Sequence, residues 1–262
     1  MDELQIKEMV RARYGEIAAA QSSEGCCAPA AAACCGPTVS EAKARQMGYS
    51  DAELAAIPEG ANLGLGCGNP QAIAAMKPGE TVVDLGSGAG LDCFLAAQQV
   101  GSAGRVIGVD MTHEMLKKSR QNAVTLGAQN VEFRLGELEH LPIADNTADV
   151  VISNCVINLV PDKAQVFREA YRVLKPGGRV AISDVVNIAP LSAELKEDAG
   201  LLCGCVAGAA PVDQLSAWLG EAGFVEVQVA PKPESRDLIA TWAPGRGIED
   251  FVVSAIIKAR KP

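Results

Sequence analysis

Apolar positions along this chain change period in a regular order. Leu4, Ile6, Met9, Val10, Tyr14 and Ile17 recur at near-helical spacing, so residues 3–20 read as an amphipathic helix. It is either a lid over a bound ligand or a helix packed at the amino end; the pattern does not choose. Residues 21–38 lose all periodicity, and Gly25, Pro29, Gly36 and Pro37 predict a loop around the run CCAPAAAACC. Ser40 opens one helix and Ser50 another, with Ser50 as N-cap and Glu53 three residues on completing a capping box. From residue 81 short apolar runs alternate with helical patterns. The runs 81–85, 105–110, 131–134, 148–153 and 179–183 read as buried parallel strands, and 91–100, 112–126 and 163–174 as the helices between them. Lys175-Pro176-Gly177-Gly178 reads as a turn, and 185–210 as an insertion. A helix over 211–222 and strands over 224–229 and 251–258, a hairpin-like pair, close the pattern. Strands and helices alternating at this interval predict an α/β fold, a mostly parallel sheet of seven strands with helices on both faces. Three regions follow: 1–75 with the helices, the Cys-rich loop and a Gly-Cys-Gly loop, 76–184 as the core, and 185–262 with the insertion and last strands.

The first strand ends in a carboxylate followed by three glycines at alternate positions, Asp84-Leu85-Gly86-Ser87-Gly88-Ala89-Gly90. Glycines there permit a tight turn and close backbone approach to a ligand at the carboxyl edge of a sheet. Leu91 occupies the place where a dinucleotide fingerprint needs glycine or alanine, which favours a ligand without a pyrophosphate. Asp110 closes the second strand twenty residues beyond Gly90, where an acid accepts hydrogen bonds from ribose hydroxyls; alone it would also serve as a helix N-cap. The pattern D-x-G-x-G-x-G resembles the first motif of the class I S-adenosylmethionine-dependent methyltransferases. That resemblance implies a Rossmann-like fold and S-adenosylmethionine as cofactor. It assigns Asp84, Gly86, Ser87, Gly88 and Gly90 to the cofactor turn, Asp110 to the ribose and Met111 to the adenine face. Gly136-Glu137-Leu138-Glu139-His140-Leu141-Pro142 resembles the adenine loop, which makes Glu137 and Leu138 cofactor contacts, although Glu137 replaces the more usual aspartate-containing pattern. Asn154, at the end of the fourth strand, faces the reacting methyl group in such folds.

Charge narrows the partners. A net charge of −9 and a pI near 4.9 argue against nucleic acid and against anionic membrane surfaces. No apolar run is long enough to span a membrane and the first residues are charged, so a cytoplasmic location is expected.

Nine cysteines are many for a reducing compartment, where such density suggests metal, metalloid or redox chemistry. Cys93, inside a helix pattern, reads as a small buried apolar residue. The doublets Cys26-Cys27 and Cys34-Cys35 are too closely spaced for a structural zinc site and suit a thiophilic ion or a redox relay, unless the stretch is a plain linker. Cys67 lies between glycines in Gly64-Leu65-Gly66-Cys67-Gly68-Asn69-Pro70, close upstream of the cofactor turn. Cys155 follows the fourth strand, and Cys203 and Cys205 lie in the small-residue insertion, a substrate-lid candidate.

Oxygen and nitrogen methyl acceptors usually need a general base. The two histidines, His113 at a helix start and His140 in the adenine loop, are not placed for that work. Trivalent arsenic prefers thiolates, carries a lone pair and needs no base. The Gly-Cys-Gly loop, Ser153-Asn154-Cys155-Val156-Ile157-Asn158-Leu159 and Cys205 in its small-residue loop resemble the arsenite methyltransferase family from the first helix to the last strand. The family implies that Cys155 and Cys205 hold As(III) and that Cys67 ligates it or joins a disulfide. It also implies a fourth, amino-terminal cysteine, Cys34 or Cys35, in the redox relay. Arsenite or its thiol adducts would be substrate, and thioredoxin or glutathione the reductant. Leu65 stands where animal and algal members carry an aromatic residue. Two rivals are a quinone- or sterol-type carbon methyltransferase and a non-enzymatic thiol-rich arsenic-binding protein.

Overall fold

The computed structural model describes residues 1–20 and 39–262. Eight strands form one sheet: β1 (Thr81–Leu85), β2 (Arg105–Asp110), β3 (Val131–Leu135), β4 (Ala148–Asn154), β5 (Leu174–Asn187), β6 (Ala210–Pro211), β7 (Val225–Lys232) and β8 (Val252–Arg260). Their order is β3-β2-β1-β4-β5-β8-β7, and the two-residue β6 pairs with β5. All pairings are parallel except that β8 runs against both β5 and β7, the expected closing pair. The strand order reverses between β1 and β4, and a crevice opens there beyond the carboxyl ends.

Side chains alternate across the sheet, which is why it carries helices on both faces. On one face Val83, Leu85, Ile107, Val151 and Ile182 pack with Phe167, Leu215 and Leu219 from the helices Lys163–Val173 and Val212–Glu221. On the other Val82, Val106, Val150, Ile152 and Ala181 meet Phe94 of the helix Leu91–Val100. The Phe94 ring is fully buried and stands edge-on to Phe133, centroids 5.8 Å apart. With few aromatic residues in the chain, this pair supplies a large share of that layer.

The amino-terminal helix spans Glu3–Ala20, and the capping box at Ser50 and Glu53 is complete. Elsewhere local patterns gave way to sheet pairing. The turn expected at 175–178 is a bulge inside β5, where register jumps from Ala148↔Leu174 to Val150↔Arg179. Lys261 pins it through two backbone bonds, to Gly177 (2.9 Å) and Gly178 (2.8 Å). β5 also continues past Ser183, where the sequence pattern ends it, to Asn187, because β8 pairs with it that far, so Asp184 is a strand residue and the insertion starts later than expected. The excursion that follows holds two short helices, Ala193–Glu197 and Ala199–Cys203.

Phe94→Ala should destabilise the fold by about 3–5 kcal/mol through a large buried void, read as a fall in the urea unfolding midpoint. A change below about 1 kcal/mol would mean the layer collapses to refill it.

Candidate active site

A cavity of about 420 Å³ lies at the carboxyl ends of β1, β2 and β4. The helix Glu3–Ala20 roofs it with Lys7, Val10, Tyr14 and Ile17, which favours the lid reading of that helix. One end is the glycine turn. Gly86, Gly88 and Gly90 have φ of 74°, 51° and 101°, a region that L side chains rarely adopt. A Cβ at Gly86 would sit 2.5 Å from the Val156 side chain, whereas one at Gly88 would meet nothing within 4 Å. Gly88 therefore borders open space. Its N–H donates to Asp110 (2.9 Å), and the other oxygen of that carboxylate accepts from the Thr112 N–H (2.8 Å). Asp110 thus holds the backbone of Thr112, the N-cap residue of the following helix, and lines the cavity as well. Burial raises its pKa, against the pull of those two backbone donors. Ser87 Oγ is buried at the cavity wall with no hydrogen-bond partner among the described residues, an orphan that a polar ligand would satisfy.

The middle of the site is a hydrogen-bonded frame centred on Asn154. Its Oδ1 accepts from the Cys67 N–H (3.1 Å), and its Nδ2 donates to the Gly68 carbonyl (2.8 Å) and the Tyr49 hydroxyl (3.0 Å). Tyr49 donates in turn to Asp92 (2.8 Å), which Gln71 also contacts. Burial raises the Asp92 carboxyl to about 6, against hydrogen bonds from Tyr49, Gln71 and Asn154. Asp84, beside it, is driven well above the usual carboxylate range, by burial first and then by Asp92.

The far end holds sulfur. Cys67, Cys155 and Cys205 are all buried, at 3%, 8% and 3% exposure. Cys155 and Cys205 line the cavity, and the Cys205 thiol donates to the Cys155 carbonyl (2.8 Å). The Cys67 and Cys155 sulfurs and a carboxylate oxygen of Asp184 lie within 4.8 Å of one another. Cys155 and Cys205 both have left-handed backbones, φ 58° and 65°. For residues other than glycine that geometry costs about 1–3 kcal/mol and collects at functional sites. The Cys155 turn is held by its own N–H on the Ser183 carbonyl (2.8 Å) and by Asp184, which accepts from Ile157 N–H (3.0 Å) and Asn158 (2.9 Å). The neighbouring Cys205 and Cys67 thiols, and then burial, hold the Cys155 pKa well above its ordinary value. Cys205 is raised too: its bond to Cys155 lowers it, but burial and Asp184 outweigh that. At neutral pH Cys155 and Cys205 keep their protons.

Of the residues expected at the cofactor, Asp84, Gly86, Ser87, Gly88, Asp110, Met111, Leu138 and Asn154 line the cavity. Gly90 does not; it starts the helix behind the turn, where its missing side chain admits the Phe94 ring. Glu137 also falls outside. Its carboxylate pairs with Lys7 (2.7 Å) and Arg11 (3.3 Å) toward solvent, and Glu139 faces the cavity instead. Cys34 and Cys35 lie outside the described residues. Cys93 is fully buried against Asp84, as a structural thiol should be. Neither histidine lines the cavity, but a proton acceptor is present: Asp184, raised to about 6 by burial, stands among the thiols. Periodicity ended the strand one residue before it. Cys203, named with Cys205 in the lid candidate, meets the first helix here: the Tyr14 hydroxyl, given no role by the sequence, donates to the Cys203 carbonyl (3.1 Å) at the cavity wall.

Residues 76–223 match a methyltransferase domain family. Along its full length the chain is 54% identical to an arsenite methyltransferase of Halobacterium salinarum, covering 68% of that protein. The chain belongs to the arsenite methyltransferase family. The human arsenite methyltransferase is 40% identical over 55% of this chain, which spans 40% of that protein. The solved arsenic(III) S-adenosylmethionine methyltransferase of Chlamydomonas reinhardtii is 32% identical and superposes with a TM-score of 0.60, covering 87% of this chain and 75% of its own. Membership in an arsenite methyltransferase family makes the chain an S-adenosylmethionine-dependent enzyme and sets aside the non-enzymatic reading. The orphaned Ser87 hydroxyl, the open face of Gly88 and the Asp110 carboxylate fit that cofactor.

Asp92 carries a pH signature. Its folded value near 6 exceeds the unfolded value near 4, so its stabilisation is present below pH 4 and is lost as pH rises through 6. Asp92→Asn should gain on the wild type by up to about 3 kcal/mol between pH 4 and 7 in urea unfolding. A constant difference across that range would show that Asp92 does not titrate in the fold.

Proposed function

We propose that this enzyme transfers methyl groups from S-adenosylmethionine to As(III) bound by Cys67, Cys155 and Cys205. The observation that carries the reading is one cavity with a cofactor turn at one end and the Cys155 and Cys205 thiols at the other, with the buried Cys67 sulfur beside Cys155 behind the wall. Arsenite enters as the trihydroxide or as a thiol adduct. Each arsenic–sulfur bond forms as a cysteine thiol loses its proton to the departing hydroxide, which leaves as water. That route suits thiols whose surroundings favour the protonated form. Asp184, among the sulfurs, accepts a proton in passing.

Bound S-adenosylmethionine supplies an electrophilic methyl group on a sulfonium. Asp110, Ser87 and Gly88 anchor it, and the frame around Asn154 fixes the distance from that anchor to the thiols. The thiols orient the arsenic lone pair, and orientation supplies much of the acceleration. Alkylation formally oxidises arsenic from the trivalent to the pentavalent state. The thiol of Cys34 or Cys35 then attacks the Cys67 sulfur on arsenic: a disulfide forms, the arsenic–sulfur bond breaks with its electron pair passing to arsenic, the attacking thiol loses its proton, and arsenic is trivalent again. Thioredoxin or glutathione restores the two thiols by exchange. No helix among the described residues is long and apolar enough to cross a membrane. A thiol-dependent cycle of this kind belongs in the reducing cytoplasm.

Cys155→Ser and Cys205→Ser should each lower arsenite-dependent S-adenosylhomocysteine formation by roughly a hundredfold or more, with cofactor affinity nearly unchanged by calorimetry. Wild-type rates in both variants would remove these thiols from the reaction.

A further inference from the structure

We infer that the inner cluster is also a site for a thiophilic divalent cation, Zn²⁺ or Cd²⁺, held by Cys67, Cys155 and Asp184 with Cys205 alongside. The two sulfurs and the carboxylate oxygen already lie within 4.8 Å of one another, and all three residues are buried. Zinc bonds of about 2.3 Å to sulfur and 2.0–2.2 Å to oxygen set tetrahedral ligand separations of roughly 3.5–3.8 Å. A contraction of about an ångström closes the set. Cys205, hydrogen-bonded to the Cys155 carbonyl at 2.8 Å, stands next to this set as the fourth donor. Asp184 is oriented for the part by Ile157 N–H, Val185 N–H and Asn158, as metal-ligating carboxylates usually are.

The two kinds of guest use the cluster differently. Trivalent arsenic takes three sulfurs in a pyramid, its lone pair filling the remaining direction. A divalent cation has no such lone pair and takes the carboxylate as well. Its charge offsets that of the two thiolates, whose protons pass to solvent, and the nearby Lys163 ammonium offsets the carboxylate. Asp184 therefore separates the two guests, whereas Cys155 is common to both. Only the competition with arsenite rests on the function proposed above.

The test uses the full chain with Cys26, Cys27, Cys34 and Cys35 replaced by serine, so that the inner thiols alone report. Reduced protein is titrated with CdCl₂, followed by thiolate-to-cadmium charge-transfer absorption, and with ZnCl₂ against a chromophoric chelator. One ion per chain, release of about two protons or more, and displacement by arsenite are expected. Asp184→Asn should weaken cadmium about tenfold or more beyond whatever it costs arsenite, and Cys155→Ser should weaken both. Retained S-adenosylmethionine binding reports that the variants fold. Should Asp184→Asn fail that control, X-ray absorption of the cadmium-loaded parent decides. An oxygen ligand beside the sulfurs supports the site, and sulfur alone overturns it. Absence of the charge-transfer band, a band indifferent to Cys155→Ser, or equal losses for cadmium and arsenite in Asp184→Asn would each overturn it too. Cadmium binding without arsenite binding would leave this site standing and remove the proposed function.

Discussion

The side-chain amide of Asn154 is the joint on which this molecule turns. It ends β4 at the switch point of the sheet, beside the glycine turn of β1. Its oxygen and nitrogen are both engaged, with Cys67 and Gly68 on one loop and Tyr49 and Asp92 behind. A rigid parallel sheet thereby sets the position of a loop that has no secondary structure of its own. The next residue in the chain is Cys155. One dipeptide thus locates two of the three thiols, and the distance from cofactor turn to sulfur becomes a property of the sheet.

Sulfur chemistry accounts for the way this site is buried. A protonated thiol behaves as a small apolar group, so Cys155 and Cys205 can be buried side by side without charge repulsion. Indeed they belong to one apolar cluster with Val10, Leu159, Val185 and Ile239. Thiolates in the same place would be costly. In the proposed reaction Cys155 and Cys205 therefore wait as neutral thiols, and arsenic itself changes their ionisation as it binds. The strained backbones of Cys155 and Cys205 fit this picture, since the surrounding bonds hold both sulfurs where an incoming metalloid needs them. The tests of Cys155 and Asp184 probe the two halves of that arrangement.

Much of this was legible in the chain because strong local signals agreed with the tertiary structure. The run 81–90 specifies strand, turn and helix start by apolar content and glycine spacing, and the sheet is built as those residues predict. The capping box at Ser50 is a local interaction and survives intact. What was misread depends on distant partners. The bulge at 175–178 looks like a turn until Lys261 and β8 are known. Asp184 looks like a loop residue until β8 extends β5 past it. Glu137 and Glu139 are two residues apart on a loop, and only Lys7 and Arg11 of a remote helix decide which faces out.

The walls of the cavity are not equally firm, and that bears on how a buried metalloid site is reached. The sheet ends are held by long ladders and by the Asn154 frame. The roofing helix Glu3–Ala20 is held by the burial of Val10 and Ala18, the Tyr14 bond to Cys203 and the ion pairs of Lys7 and Arg11. Partly exposed ion pairs are worth only about 0–1 kcal/mol each. Burying one valine contributes about 1.5–3 kcal/mol. Lifting the roof therefore costs far less than parting the sheet, and it uncovers Cys203 and Cys205 together, because Tyr14 rests on the segment that carries both. The fold thus keeps its precision in the floor, which carries the glycine turn and the Asn154 frame, and its compliance in the roof.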